Sequence, residues 1–115
     1  MIIGEAMAPR VDPVRSDDEL PTRADVVIVG GGIIGASTAL FLAQKGVSAV
    51  LCEKGHIAGE QSSRNWGWCR KMGRDPRELP LIIESLRVWQ GMNEIVEAET
   101  GFRQAGIMYL AETDA

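Results

Sequence analysis

The sequence predicts an α/β fold organised around a parallel β-α-β unit, and three observations carry that expectation. The apolar run Val26-Val27-Ile28-Val29 is continuous, as expected of a strand buried on both faces in a parallel sheet. Directly after it, Gly30, Gly32 and Gly35 fall at the spacing G-x-G-x-x-G. A second apolar run, residues 47–52, follows a stretch of helical character and ends on the carboxylate of Glu53, 18 residues past Gly35.

The elements follow in order. Residues 1–24 hold Pro9, Pro13, Pro21 and the acidic run Asp17-Asp18-Glu19, with little periodicity, and read as a flexible lead-in. Residues 25–29 form the first strand. Residues 31–45 read as a turn and a helix, with Ala36, Ala39, Leu40 and Ala43 toward the sheet, and Gly46 suits a left-handed C-terminal cap. Residues 47–52 form the second strand. Residues 54–78 are loop-like, because Gly55, Gly59, Gly67, Gly73 and Pro76 interrupt any long element. From 79 to 100, Leu79, Ile82, Leu86, Trp89, Met92 or Asn93, and Val96 recur at helical spacing, with Gly101 as the stop. Gly106-Ile107-Met108-Tyr109-Leu110 reads as a last strand.

Composition bounds the function. A chain of 115 residues holds about one domain. Hydrophobic residues make up 45% and charged residues 24%, an ordinary soluble globular balance. A net charge of −4 argues against general nucleic-acid binding. No apolar run approaches the roughly 18 residues of a membrane span, and Met1-Ile2-Ile3-Gly4-Glu5 lacks the basic flank of a secretory signal. Cys52, Cys69 and the single His56 give neither a metal-ligand spacing nor a disulfide framework, and two reduced thiols fit a cytoplasmic protein.

The glycine turn has a direct physical task. Gly30 permits a tight turn out of the strand, Gly32 leaves room for a pyrophosphate at the backbone, and Gly35 lets helix and strand approach. N–H groups near Ile33 and Ile34, with the helix dipole behind them, favour phosphate oxygens. Glu53 is placed to accept ribose hydroxyls, and its charge repels a 2′-phosphate, which disfavours NADP. A purely structural glycine turn is the plain alternative, but the strand before, the helix after and the carboxylate at the right distance favour a dinucleotide. The fingerprint alone does not separate FAD from NAD.

The stretch Gly59-Glu60-Gln61-Ser62-Ser63-Arg64-Asn65-Trp66-Gly67-Trp68, taken with that fingerprint, resembles the FAD-dependent D-amino-acid dehydrogenase and oxidase superfamily. That superfamily includes glycine and sarcosine oxidases, and the similarity is greatest to its bacterial amino-acid dehydrogenase-like oxidoreductases. Leu79-Pro80-Leu81 with Ser85 and Trp89 is similar to the helix after the flavin loop. Gly101-Phe102 and Gly106-Ile107-Met108-Tyr109 resemble the first strand segment of the substrate domain. The resemblance spans about residues 24–112. It implies that 25–100 are the N-terminal part of a Rossmann-like FAD-binding domain and that 101–115 begin a mixed-sheet substrate domain. Both are then incomplete, since full chains of the family are several times longer.

The resemblance also implies residue roles. Gly30, Gly32, Ile33, Ile34 and Gly35 would meet the FAD pyrophosphate, Glu53 the ribose, and Lys54 the adenine end. Ser62, Ser63, Arg64, Asn65 and Gly67 would form the second flavin loop. Hydroxyls, an amide and a guanidinium donate well to phosphate or to the flavin ring, although Ser-Ser-Arg-Asn is also an ordinary polar loop. Arg70 lies near an arginine that holds the substrate carboxylate in sarcosine-oxidase-like relatives. The implied reaction is oxidation of the C–N bond of an amino acid or related amine, with hydride transfer to flavin N5 and hydrolysis of the imine. The electron acceptor, oxygen or a respiratory chain, is left open, as is peripheral membrane association. An NAD-binding Rossmann oxidoreductase and a truncated, inactive dinucleotide-binding fragment are the alternatives.

Residues 64–78 carry +3, so the rest of the chain carries −7. That reversal suits attraction of a diphosphate or carboxylate, and it equally suits pairing with acidic neighbours. Trp89 reads as core from its helical spacing, and Cys52 as a small hydrophobe inside a strand. His56 reads as structural. Trp66, Trp68 and Cys69 lie in the region where a flavin would be shielded or attached, without a role that spacing assigns.

Overall fold

The computed structural model describes residues 11–110 and 112. Residues 11–24 adopt no helix or strand and are mostly exposed, and the first ten residues of the expected lead-in lie outside the described residues. Two compact units divide the chain, residues 1–66 and 67–115.

In the first unit, β1 (Val26–Val29), α1 (Ile33–Gln44) and β2 (Ala49–Cys52) form the expected β-α-β unit. The strands pair in parallel with Val26 opposite Ala49 and Val29 opposite Cys52. Asp25 starts the ladder: its N–H and that of Val26 donate to the Ser48 carbonyl at 3.1 and 3.0 Å, and its carboxylate accepts from the Ser48 N–H. The ladder continues past β1, where the Gly30 N–H donates to the Cys52 carbonyl at 2.8 Å.

Helix α1 ends as its sequence predicts. Gly46 has φ +71°, and the Val47 N–H returns to the Leu42 carbonyl while the Gly46 N–H returns to that of Ala43. This is the Schellman arrangement, which satisfies carbonyls that the helix end would leave open.

The expectation that β1 is buried on both faces is corrected. Val27 is 64% and Val29 88% exposed, while Val26 and Ile28 are half-buried. Alternate residues of a strand point to opposite faces, and α1 approaches the face of Ile28, whose Cγ2 would lie 3.4 Å from a Cβ at Gly35. Ala43 is a second correction: Ala36, Ala39 and Leu40 are half-buried, but Ala43 is exposed. A twelve-residue helix runs about 18 Å and a four-residue strand about 13 Å, so the last turn of α1 overhangs the sheet.

In the second unit, a 3₁₀ turn (Pro76–Glu78) leads into α3 (Leu79–Gln90) and α4 (Met92–Val96), numbered after the short α2 of the first unit (Gln61–Arg64). Asp75 caps the turn by accepting the Arg77 N–H at 2.9 Å. The single helix expected over 79–100 is therefore broken at Gly91, a residue that costs about 1 kcal/mol relative to alanine inside a helix. It also stops early, because Glu97 takes a left-handed conformation at φ +52°. The periodic face is nevertheless as expected. Leu79, Ile82, Leu86, Trp89 and Val96 are half-buried and Met92 is 8% exposed. Trp89 stacks on Phe102 with ring centroids 5.7 Å apart.

The strand expected over 106–110 does not form. Strand geometry is stabilised by a paired neighbour, and β1 with β2 is the only sheet among the described residues. No helix of the described residues is long and apolar enough to cross a membrane.

Candidate functional site

The site grows from the junction of β1, β2 and α1. Glu53, one residue past β2, reaches back across that junction. Its Oε2 accepts the Gly31 N–H at 2.7 Å and its Oε1 the Gly55 N–H at 2.9 Å. The Gly31 N–H, then that of Gly55, hold the carboxyl below its ordinary value of 4.5, so it stays ionised. An ionised carboxylate only accepts hydrogen bonds and has lone pairs left after these two, which suits it to hydroxyl donors.

Gly31 is a functional residue that the motif spacing passed over. It is buried, and a Cβ there would lie 2.4 Å from Ile57 Cδ1 and 3.2 Å from Glu53 Cβ. Its carbonyl accepts the Ala58 N–H at 2.8 Å, which docks the loop after β2 on the turn. The unbroken Gly30-Gly31-Gly32 run was the available signal.

At the start of α1, Gly32 is the N-cap and offers no side chain of its own. The cap comes from elsewhere: Ser62 Oγ accepts the Ile33 N–H at 2.8 Å. A Cβ at Gly32 would sit 2.9 Å from that Oγ, and one at Gly35 would sit 1.9 Å from the Gly30 carbonyl oxygen. The approach at Gly35 is to backbone and requires glycine, whereas that at Gly32 is to a side-chain oxygen held there by its bond to the Ile33 N–H.

Ser62 is carried by α2, one helical turn inside a stretch expected to be loop-like. Asn65 closes that turn by donating from Nδ2 to the Ser62 carbonyl at 2.6 Å and to that of Gln61 at 3.3 Å. A cleft of about 420 Å³ opens between these elements. It brings Gly30, Gly32, Ile33, Ile34 and Gly35 together with Ser62 and Asn65, and Thr38 and Gln61 join its wall.

The other expected residues lie elsewhere. Ser63 donates from Oγ to the Glu60 carbonyl, Lys54 pairs with the Glu60 carboxylate at 3.2 Å, and Arg64 approaches it at 3.8 Å. Gly67 and Arg70 belong to the second unit. Much of the basic segment is neutralised locally: Arg74 lies 3.8 Å from Glu78 and Arg77 lies 2.7 Å from Asp75. Among the described residues, no cluster of three His, Cys, Asp or Glu side chains could hold a metal, and both cysteines are free.

These residues fit an ADP-containing cofactor. A helix N-terminus, a glycine turn with a close backbone approach at Gly35, and an ionised carboxylate at the end of β2 are the features that pyrophosphate and ribose binding demand.

Comparison with known proteins agrees. Residues 25–115 match the FAD dependent oxidoreductase family, DAO. The chain is 36% identical over 91 residues to the sarcosine oxidase subunit beta of Arthrobacter sp, covering 77% of this chain and 22% of that protein. It is 28% identical over 102 residues to human mitochondrial dimethylglycine dehydrogenase, covering 88% of this chain and 12% of that one. Among solved structures, L-amino acid deaminase from Proteus myxofaciens, in complex with anthranilate, superposes with a TM-score of 0.78 at 41% identity. That match covers 84% of this chain and 22% of the deaminase, so the chain spans between about an eighth and about a fifth of the length of these relatives. With its parallel β-α-β unit and its match over residues 25–115, the chain belongs to the FAD dependent oxidoreductase family.

Proposed function

We propose that this chain binds the ADP half of FAD in an enzyme that oxidises the C–N bond of an amino acid or related amine. One observation carries the reading: the glycine turn, the Glu53 carboxylate and the Ser62 turn are tied together by the Gly31–Glu53 and Ile33–Ser62 hydrogen bonds. In this reading Gly32, Ile33, Ile34 and Gly35 face the pyrophosphate, with Gly30 shaping the turn. Ser62 and Asn65 close the cleft, and Glu53 takes the ribose hydroxyls. Lys54, Ser63 and Arg64 line its approaches, and residues 101–115 begin the substrate domain.

FAD, when bound, supplies a two-electron acceptor for the bond to be oxidised. The chain's own contribution is orientation and charge. The N–H groups of α1 favour the phosphates, and ionised Glu53 discriminates against a 2′-phosphate. The substrate class comes from the relatives: a sarcosine oxidase, a dimethylglycine dehydrogenase and an L-amino acid deaminase each name an amine that also carries a carboxylate. A cytoplasmic site of action belongs to the same proposal.

The test is the protein expressed from its full reading frame. A yellow product releasing about one FAD per chain, bleached anaerobically by an amino acid, is expected. A colourless product that binds NAD instead would overturn the reading. Oxygen uptake during turnover then separates an oxidase from a dehydrogenase.

A further inference from the structure

We infer that Ala58 is a positioning residue for phosphate binding: its N–H holds the Gly31 carbonyl so that the next N–H, that of Gly32, is presented to the cleft as a donor. That role belongs to the ADP site proposed above and rests on that reading.

Both polar groups of Gly31 are held by the segment after β2. Its N–H donates to Glu53 Oε2 at 2.7 Å, and its carbonyl accepts the Ala58 N–H at 2.8 Å. A trans peptide is planar, with its C=O and N–H pointing in opposite directions. A Gly31 carbonyl turned toward Ala58 therefore turns the Gly32 N–H away from it. Gly32 lines the cleft, while Gly31 and Ala58 do not. The Gly32 N–H has no acceptor among the described residues, and the neighbouring Ile33 N–H is already taken by Ser62 Oγ. A backbone donor left open beside a helix N-terminus suits a phosphate oxygen.

Ala58 makes its bond from a strained conformation. Its φ is +60°, and Glu97 is the only other non-glycine residue at positive φ among the described residues. Residues 56–59 form a β-turn, closed by the Gly59 N–H on the His56 carbonyl at 3.0 Å. Ala58 is its third residue, where a positive φ ordinarily selects glycine or asparagine. Contacts on each side keep the turn in place. Ile57 Cδ1 lies over Gly31, in space that a Cβ there would need, and the His56 ring lies against Gly59. Before the turn, the Gly55 N–H donates to Glu53 Oε1 at 2.9 Å. Strain of this kind persists where the surroundings over-determine it, and it concentrates at ligand clamps. Residue 31 is thus gripped from two sides, by Glu53 through its N–H and by Ala58 through its carbonyl.

The experiment uses the flavin-depleted protein from its full reading frame, titrated by calorimetry with ADP and with adenosine, which lacks the phosphates. Replacing Ala58 by L-lactate turns its amide into an ester, which removes the N–H and keeps the methyl group. ADP is expected to bind about tenfold more weakly, while adenosine stays within about twofold. Ala58→Gly keeps the N–H and releases the strain, so its ADP affinity should match wild type within about twofold. In glycine-labelled wild type, ADP should move the Gly32 amide proton downfield, and adenosine should not.

ADP and adenosine weakened alike would make Ala58 a purely structural residue and overturn the inference. So would an ester that binds ADP as wild type does, or a Gly32 amide that ADP leaves unmoved. If the ester does not fold, Ala58→Val decides. A β-branched side chain opposes positive φ and opens the turn, so the same selective loss of ADP is expected and its absence overturns the inference. A wild type that holds FAD but does not prefer ADP to adenosine would overturn the positioning role alone. ADP is common to FAD and NAD. A protein that binds NAD in place of FAD would contradict the proposed function, and its ADP and adenosine affinities would still decide the role of Ala58.

Discussion

The hydroxyl oxygen of Ser62 accepts the N–H of Ile33 at 2.8 Å, joining two segments 29 residues apart. Helix α1 opens on a glycine N-cap, so no local side chain satisfies its first donors. The turn of α2 supplies the missing oxygen, and the second loop is thereby fastened to the phosphate-facing end of the helix. Ser62→Ala should cost about 1 kcal/mol, the usual loss when a cap oxygen is removed. Urea denaturation of the variant measures it. FAD should also be released more readily on dialysis, and an unchanged denaturation midpoint with full FAD retention would show the contact to be idle.

The two tight glycines should differ in tolerance. A Cβ at Gly35 meets the Gly30 carbonyl oxygen at 1.9 Å, and backbone there cannot move without parting β1 from α1. At Gly31 the nearest atom, at 2.4 Å, is the tip of the Ile57 side chain, which can rotate away. Gly35→Ala should therefore lose about 3 kcal/mol, the upper end of the cost of overpacking, and Gly31→Ala about 1 kcal/mol. Thermal melts of the two variants give the order, and a reversed order would mean that the Ile57 contact is the rigid one.

Glu53 carries the next expectation. Glu53→Gln keeps the shape but turns an NH₂ toward one of the two backbone donors, Gly31 or Gly55, that the carboxylate now satisfies. Loss of hydrogen bonds to a charged acceptor predicts an FAD affinity roughly 10- to 100-fold weaker. Fluorescence titration of the flavin-depleted protein reads it directly, and an affinity within twofold of wild type would place the ribose elsewhere.

How much of this was legible in the sequence follows from the range of each interaction. Gly46 and the β-α-β order rest on local pattern, and both appear as read. Val27 and Val29 do not, because an apolar run says that a strand can be buried on both faces, while their exposure depends on which layers pack there. The helix face from Leu79 to Val96 was readable from spacing, but its break was not. The periodicity continues through Gly91, and only backbone geometry shows the change there. Residues 106–110 have strand composition without a strand partner among the described residues. The Ser62–Ile33 and Ala58–Gly31 bonds are tertiary contacts, which no spacing within either segment encodes.

The turn after α4 provides a pH-dependent expectation. The Arg103 guanidinium, the Asn93 amide and the Gly101 N–H all donate to the Glu99 carboxylate, in that order of influence, and hold its pKa down from 4.5 to about 2. Asn93 binds the same turn a second way, its Oδ1 accepting the Thr100 N–H at 3.0 Å and the Thr100 hydroxyl at 2.7 Å. A carboxyl with a folded-state pKa below its unfolded value stabilises the fold where both states are ionised, above 4.5. That contribution is lost as pH falls through about 2. Glu99→Gln should therefore melt below wild type near about pH 7, with a gap that narrows between 4.5 and about 2 and then closes. Circular dichroism melts across this window measure the gap. Because the carboxylate is solvent-exposed, high salt should narrow it at neutral pH as well, and the absence of any gap at neutral pH would assign the turn's stability to Asn93 and Thr100 alone.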